Sequence, residues 1–320
     1  MKHVLVLLSI VALALASLAA AAEYPEKPIH IVVPFAPGGN QDLVARHIAP
    51  ELSKILGTPV VVENRPGAAG LLGAEFVAKA APDGYTALVT GSLFGLPLVL
   101  KPKPGFDPMK DFVTTVAISR VPLVIVVNPA LPAKTLSEFV ALAKASPGKI
   151  TMASTGTGVS NHLAGEYFQM LTGTKLTHVP YKGSGQALTD LVAGHVDVLF
   201  DQLNSSIGFI KSGKLRALGM TTLSRAGAMP ELPTVAESGV PGYEASTTSG
   251  MLFPAATPPA FVAKVNAALI KVLQLPATRE QFLRMGADIV DFSTGPFERI
   301  MRDETAKWVK VIRDANITIE

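Results

Sequence analysis

The run Val121-Pro122-Leu123-Val124-Ile125-Val126-Val127-Asn128-Pro129 constrains the fold most, because it is almost wholly apolar, rich in β-branched side chains and bounded by prolines. A strand with one wet face would alternate with polar residues. This one is expected to be buried on both faces, as strands of a helix-covered sheet are. Its surroundings agree. Before it, residues 29–34, 60–63 and 87–90 read as strands, with helical patterns over 42–56 and about 69–80 between them. That β-α-β-α-β order argues for a mainly parallel sheet with helices on both faces. After it a second alternation begins: helix 135–145, strand 150–154, helix 161–172, strand 177–179, helix 186–193 and strand 197–200. A further apolar strand within 248–254 is followed by helical stretches near 259–273, 278–285 and 296–315.

Two such blocks predict an α/β chain of two lobes. Strands near 122–127 and 248–253 are read as crossing between them, with residues 23–122 and 249–320 in lobe 1 and residues 123–248 in lobe 2. So few crossings leave room for a hinge, and hinges between lobes commonly serve closure on a ligand.

The N-terminus reads as a secretory signal over residues 1–22. Lys2 is followed by an apolar run over residues 4–18 and by the small residues Ala19-Ala20-Ala21-Ala22. Such a run is shorter than the roughly 20 residues of a spanning helix. Beyond it about 300 residues remain, which at about 150 per domain again suggests two. Lys+Arg 28 against Asp+Glu 25 is close to balance, the charges are scattered, and no basic stripe marks a nucleic-acid partner. With no cysteine, neither disulfides nor thiolate metal sites are expected, nor a lipid anchor.

Ligands of open α/β lobes bind beyond the carboxyl ends of the parallel strands. Two loops fit that position. Pro34-Phe35-Ala36-Pro37-Gly38-Gly39-Asn40-Gln41-Asp42 follows the first strand, and Ser154-Thr155-Gly156-Thr157-Gly158-Val159-Ser160-Asn161-His162 follows the strand at 150–154. In each, glycines let the backbone approach a ligand, and the free amides of the following helix point at it, which suits a carboxylate. Both loops are also ordinary strand-to-helix turns, with Asp42 or Ser160 as caps. The hydroxyls of Ser154, Thr155, Thr157 and Ser160 exceed what capping needs, and Phe35 would wall the ligand. Thr90 and Ser92, Lys182 and Gly183, and Asp201 lie at the same edge. Lys182 reads equally as a solvated rim residue, and Asp201 as an acceptor for loop amides or for a ligand hydroxyl or amino group.

Catalytic patterns are absent: no GxSxG elbow, P-loop or HExxH occurs, and Gly67, Gly70 and Gly73 are spaced GxxGxxG, not as a dinucleotide fingerprint. His162 and Glu166 lie one turn apart, a spacing that is usually structural, with His162 bonding a loop carbonyl. A hydrolase would need Ser160 and His162 as nucleophile and base. No enzyme activity, catalytic residue, cofactor or metal is expected.

Three collinear motifs stand out: Tyr24-Pro25-Glu26-Lys27-Pro28-Ile29, Val33-Pro34-Phe35-Ala36-Pro37-Gly38-Gly39 with Asp42, and Val61-Val62-Glu63-Asn64-Arg65-Pro66-Gly67-Ala68-Ala69-Gly70. With them the chain resembles the Bug family of periplasmic receptors, the extracytoplasmic components of tripartite tricarboxylate transporters. The resemblance continues through Pro82-Asp83-Gly84-Tyr85-Thr86, His178-Val179-Pro180-Tyr181-Lys182-Gly183, Gly213-Lys214-Leu215-Arg216-Ala217-Leu218 and Pro233-Thr234-Val235-Ala236-Glu237, and covers essentially the whole mature chain. It implies a two-lobed periplasmic-binding-protein (Venus flytrap) fold with two interdomain linking strands. It also implies a periplasmic monomer that holds a small carboxylate (a di- or tricarboxylate, acidic amino acid or aromatic acid) and delivers it to integral-membrane permease subunits. The same capture could instead feed a sensor kinase. Ser249, where the family commonly has an aromatic residue, and Ser92-Leu93-Phe94-Gly95 with Lys101-Pro102-Lys103-Pro104 depart from the pattern. A small residue at 249 would leave room for a bulkier acid.

Overall fold

The structure, a computed structural model, describes residues 24–96, 105–292 and 295–314. The expected signal segment and the stretch Lys101-Pro102-Lys103-Pro104 lie outside them.

The first part of the chain forms β1 (Ile29–Val33), α1 (Asn40–Leu56), β2 (Val60–Asn64), α2 (Leu71–Ala78) and β3 (Thr86–Gly91), then the long β4 (Phe112–Val127). Next come α3 (Leu136–Ala145), β5 (Thr151–Ser154), α4 (Ser160–Thr172), β6 (Thr177–Pro180), α5 (Ser184–Ala193), β7 (Val198–Gln202), α6 (Leu203–Lys211) and β8 (Arg216–Met220). The chain closes with β9 (Ser246–Pro254), α7 (Pro259–Gln274), α8 (Pro276–Arg284), β10 (Asp288–Ile289) and α9 (Phe297–Asp314).

The strands run β2-β1-β3-β9-β4-β7-β5-β6 across one continuous sheet, with β8 and β10 also paired to β4. β1 pairs with β2 and β3 in parallel, and β5 with β6 and β7 in parallel, as the alternating pattern predicts. What joins the two parallel groups is β4. Its first part lies antiparallel to β9, from Phe112 opposite Pro254 to Pro122 opposite Ser246, and its second part lies between β7 and β8, with Val124 opposite both Asp201 and Met220.

β4 is 16 residues long, so the expected strand at 121–127 is only its second half. The first half carries Thr114, Thr115 and Ser119, which break an apolar pattern. The sheet accommodates Thr115 because its hydroxyl donates to the Met251 carbonyl at 3.1 Å. α6 and β8 also escaped the pattern reading. In α6 the reason is Asn204, Ser205 and Ser206, polar residues that are buried all the same.

Burial on both faces is visible residue by residue. Ile29, Ile31 and Val33 of β1 pack with Val44, Ile48 and Leu52 of α1, while Val32 faces the opposite layer with Val77, Phe297 and Met301. In β4, Val124 and Val126 join the first layer, and Leu123, Ile125 and Val127 pack under Phe139, Phe168, Tyr243 and Trp308. This is the period-two alternation of a strand covered on both sides. α9 spans two of these layers, with Phe297 and Met301 in one and Trp308 and Ile312 in the next. Among the described residues, no single helix is long and apolar enough to cross a membrane.

Candidate ligand-binding cleft

The loops after β1 and β6 meet backbone to backbone, and the loop after β5 approaches Ala69 in the segment after β2. Ala36 N–H donates to the Lys182 carbonyl at 3.1 Å. A Cβ on Gly183 would lie 2.9 Å from the Ala36 nitrogen, one on Gly185 would lie 2.5 Å from the Pro37 oxygen, and one on Gly156 would lie 2.9 Å from the Ala69 Cβ. Side chains at these positions would hold the loops apart.

Beside these loops, bordered by Phe35 and Thr155, lies a small cleft of about 20 Å³. Phe35, Leu93, Phe94 and Val159 supply its apolar lining, and Gln41, Thr90, Ser92, Thr155, Ser160, Gln202 and Thr247 its polar lining. Pockets that are mostly apolar with a few convergent polar groups are the usual form of small-molecule sites.

The polar lining has hydrogen-bonding capacity left over. Ser160 Oγ accepts from Gln202 Nε2 at 3.3 Å and from Thr247 Oγ1 at 3.1 Å, which directs its own proton elsewhere. Thr90 Oγ1 is buried without a protein partner. Behind the lining, Asn161 Nδ2 is also buried without a protein partner, its amide oxygen being taken by the Thr155 N–H and hydroxyl. Buried polar atoms are rarely left unmade, and a group here that accepts hydrogen bonds would complete them. α1, α4 and α5 all begin at this edge without a side-chain cap, after Gly39, Val159 and Gly183. α3 is capped by the Thr135 hydroxyl, whereas α7 and α8 also begin without a side-chain cap, so the missing cap is not peculiar to this edge. Uncapped starts leave amides and the positive end of the helix dipole for an anion.

A second layer of residues holds these walls. Asn40 donates to Ser249 Oγ at 3.1 Å and accepts from Asn204 Nδ2 at 2.7 Å, tying α1 to β9 and α6. Asp42 accepts from Gly38 N–H, Arg46 and Asn64. Burial raises the pKa of Asp42, but these three partners outweigh it and hold the carboxyl below the ordinary range. Ser154 is fully buried, and its hydroxyl meets His178 Nε2 at 2.6 Å and accepts the Gly156 N–H at 3.1 Å. The His162 ring stacks on His178 at 3.9 Å, and its Nδ1 accepts the Gly158 N–H at 3.1 Å. Burial pushes His162 down to about 3, with His178 adding to the effect, and pushes His178 down to about 4. Both rings are therefore neutral at neutral pH. Asp201 accepts the hydroxyls of Ser184 and Ser206 at 2.7 and 2.6 Å, and burial lifts it to about 6.

Of the residues singled out from sequence, the structure places Phe35, Thr90, Ser92, Thr155 and Ser160 on the cleft walls. Asn40, Asp42, Ser154, Asn161, His162 and Asp201 brace the loops from behind, and Gly38, Gly39, Gly156, Gly158 and Gly183 shape them. Pro37, Thr157 and Lys182 lie at or near the surface, and Lys182 reaches the first loop only through its carbonyl. One expected partner differs. His162 bonds a loop amide instead of a carbonyl, because its neutral Nδ1 is an acceptor. Asp201 takes the hydroxyls of Ser184 and Ser206 in addition to the backbone amide of Gln202. Ser160 is not bonded to His162, which leaves the hydrolase pairing unformed. Ser249 is buried against Asn40 and is not on the cleft walls.

Gln41 and Val159 fall within the two expected loops and Leu93 and Phe94 within the Ser92–Gly95 stretch, while sequence reading missed Gln202, Thr247 and Glu304 of α9. The Glu304 carboxylate accepts the hydroxyls of Ser92 and Thr248. A signal for Glu304 existed, since it falls on the same helix face as Phe297, Met301, Trp308 and Ile312.

Comparison with known proteins places this arrangement. The family model described as the tripartite tricarboxylate transporter family receptor matches residues 44–317. The protein BugT of Bordetella pertussis is 37% identical over 299 residues, covering 93% of this chain and 92% of that one. Among solved structures, the periplasmic binding protein BugD is 34% identical with a TM-score of 0.87, covering 92% of this chain and 99% of that one. A Rhodopseudomonas palustris protein solved with adipate is 33% identical with a TM-score of 0.87, covering 92% and 99%. MatC of the same organism, solved with bound malate, is 33% identical with a TM-score of 0.85, covering 90% and 100%. The two-lobed α/β architecture expected from sequence is the fold of these periplasmic binding proteins.

Proposed function

Because the chain belongs to the tripartite tricarboxylate transporter receptor family, we propose that it is an extracytoplasmic solute-binding protein. In this reading it captures a small carboxylate in the periplasm and presents it, unchanged, to the membrane permease of a tripartite transporter. The observation that carries the ligand class is the unspent Ser160 hydroxyl at the uncapped start of α4, in the same cleft lining as the unpartnered Thr90 hydroxyl. Donors converge there, and a carboxylate is the anion that accepts several at once.

Residues 23–122 with 249–320 form one lobe of this reading and residues 123–248 the other, with the Ala36–Lys182 contact closing the cleft between them. The apolar lining of Phe35, Leu93, Phe94 and Val159 takes the carbon skeleton. Relatives solved with adipate and malate support an organic acid as the ligand.

The test is thermal melting of the chain from Glu23 onward with adipate, malate, citrate, glutamate and benzoate, and mass spectrometry of the acid afterwards. An acid at one hundred times its Kd should add about 2.7 kcal/mol of stability and be recovered intact. No stabilisation by any acid, or consumption of one, overturns the reading.

A further inference from the structure

Glu304 interrupts an otherwise apolar helix face. Phe297, Met301, Trp308 and Ile312 of that face are all buried. Glu304, in the middle of it, turns both oxygens onto hydroxyls: Ser92 donates to Oε2, and Thr248 donates to Oε1 at 3.0 Å. The Ser92 N–H donates to the Thr248 carbonyl at 2.8 Å, so the three residues form one unit behind the wall that Ser92 contributes to the cleft. On its other side Glu304 lines a surface groove with Arg120, Glu244, Asp303 and Lys307, an open route for protons.

A serine hydroxyl has one proton to give. While Glu304 is ionised, that proton is held on Glu304, and Ser92 shows the cleft only lone pairs, which repel a carboxylate. Once Glu304 takes a proton from solvent, it donates to Ser92 Oγ, and the Ser92 proton is free to turn into the cleft. We propose that Glu304 is a positioning residue that sets the hydrogen-bond polarity of Ser92, so that binding an acid in the cleft takes up one proton at Glu304. The inference rests on the carboxylate reading of the site.

The surroundings favour such uptake. Burial raises the proton affinity of Glu304, against the pull of Ser92, Thr248, Arg120 and Lys307. The charged groups that share its groove are Arg120 from β4, Asp303 and Lys307 from α9, and Glu244 from the segment before β9. Lys307 is itself paired with Glu244 at 3.6 Å. An acid arriving in the cleft adds a negative charge that pushes Glu304 further toward its protonated form.

The experiment is calorimetric titration of the wild-type chain, E304Q and S92A with whichever of adipate, malate, citrate, glutamate and benzoate stabilise the chain in the melting panel, between pH 5.5 and 8.5, in pairs of buffers that differ in ionisation enthalpy. Wild-type Kd should rise by up to about tenfold per pH unit above the Glu304 titration, with up to one proton taken up per acid bound. E304Q, whose amide donates to Ser92 permanently, should bind at the wild-type low-pH affinity with that dependence removed, the acid's own titration remaining as the baseline. S92A should bind more weakly at low pH and show the same loss of slope. A flat wild-type profile without proton uptake overturns the inference, and so does an E304Q profile that keeps the wild-type slope. Failure of every acid of that panel to bind any of the three proteins at any pH overturns the carboxylate reading and the inference with it.

Discussion

The backbone N–H of Ala36 donates to the carbonyl oxygen of Lys182 at 3.1 Å, joining the loop after β1 to the loop after β6. The Lys182 side chain is exposed and takes no part in the contact. Closure is therefore a matter of how near two backbones can come, and the glycines around the contact set that limit.

Gly185→Ala separates closure from folding. Position 185 is in α5, where alanine is favoured over glycine by about 0.5–1 kcal/mol, so melting of the ligand-free protein should hold or rise. The new Cβ would meet the Pro37 oxygen at 2.5 Å in the closed form. Acid affinity should fall at least about tenfold, corresponding to about 1.4 kcal/mol. X-ray scattering with saturating acid should report a more open particle than wild type, and an unchanged Kd would remove the contact from the binding reaction.

Ser160→Ala removes a donor aimed into the cleft and the acceptor used by Gln202 and Thr247. A hydrogen bond to a charged group is worth about 1.5–3 kcal/mol, so the best acid should bind roughly 10- to 100-fold more weakly. Calorimetry reads this directly. Wild-type affinity in the variant would mean that the ligand sits elsewhere.

Thr90→Val should move stability and affinity in opposite directions. Thr90 Oγ1 is buried without a protein partner, so the near-isosteric valine removes an unmade polar group and should stabilise the ligand-free protein by about 1 kcal/mol. Binding should weaken if that hydroxyl serves the acid. A variant that is both less stable and equally tight would show that Thr90 is satisfied within the protein.

Acid should loosen the second loop through His162. Its pKa is ordinarily near 6.5 and lies at about 3 in the folded chain. Above 6.5 the ring is neutral whether folded or not, and it contributes no pH dependence. Below 6.5 the unfolded chain binds a proton that the folded one refuses, so stability falls as pH falls, by about 2 kcal/mol at pH 5 from this ring. Asp201, lifted to about 6, works the other way and gains stability as pH falls through 6. The difference in melting between wild type and H162Q from pH 7.5 to 5 isolates the histidine. Parallel curves for the two proteins would rule its titration out.

Much of this architecture could be read from local pattern. The β-branched run at 121–127 announces a strand covered on both faces, and glycines after strand ends announce Phe35, Thr155 and Ser160 as neighbours of a cleft. Thr90 and Ser92 follow from lying at the same sheet edge. Gln202 and Thr247 could not be found that way. Each is a polar residue at a strand end with no spacing of its own, and they meet only because β4 brings β7 and β9 together. Glu304 reaches the site from a helix more than two hundred residues beyond Ser92, and what marks it is a charge on an apolar stripe, not a loop motif. The first half of β4 was hidden because its threonines and Ser119 imitate a solvated segment, although Thr115 and Ser119 are buried.

β4 also bears on how the molecule comes apart. Phe112–Pro122 completes the sheet around β9, while Leu123–Val127 is the middle strand between β7 and β8. Neither half of the protein can melt without stripping hydrogen bonds from a strand the other half needs, and α9 straddles the same junction through Met301 and Trp308. Two lobes joined by a flexible tether would denature in two steps. Lobes that share a strand and a helix should denature as one cooperative unit, with urea curves from Trp308 fluorescence and from far-ultraviolet dichroism superimposing.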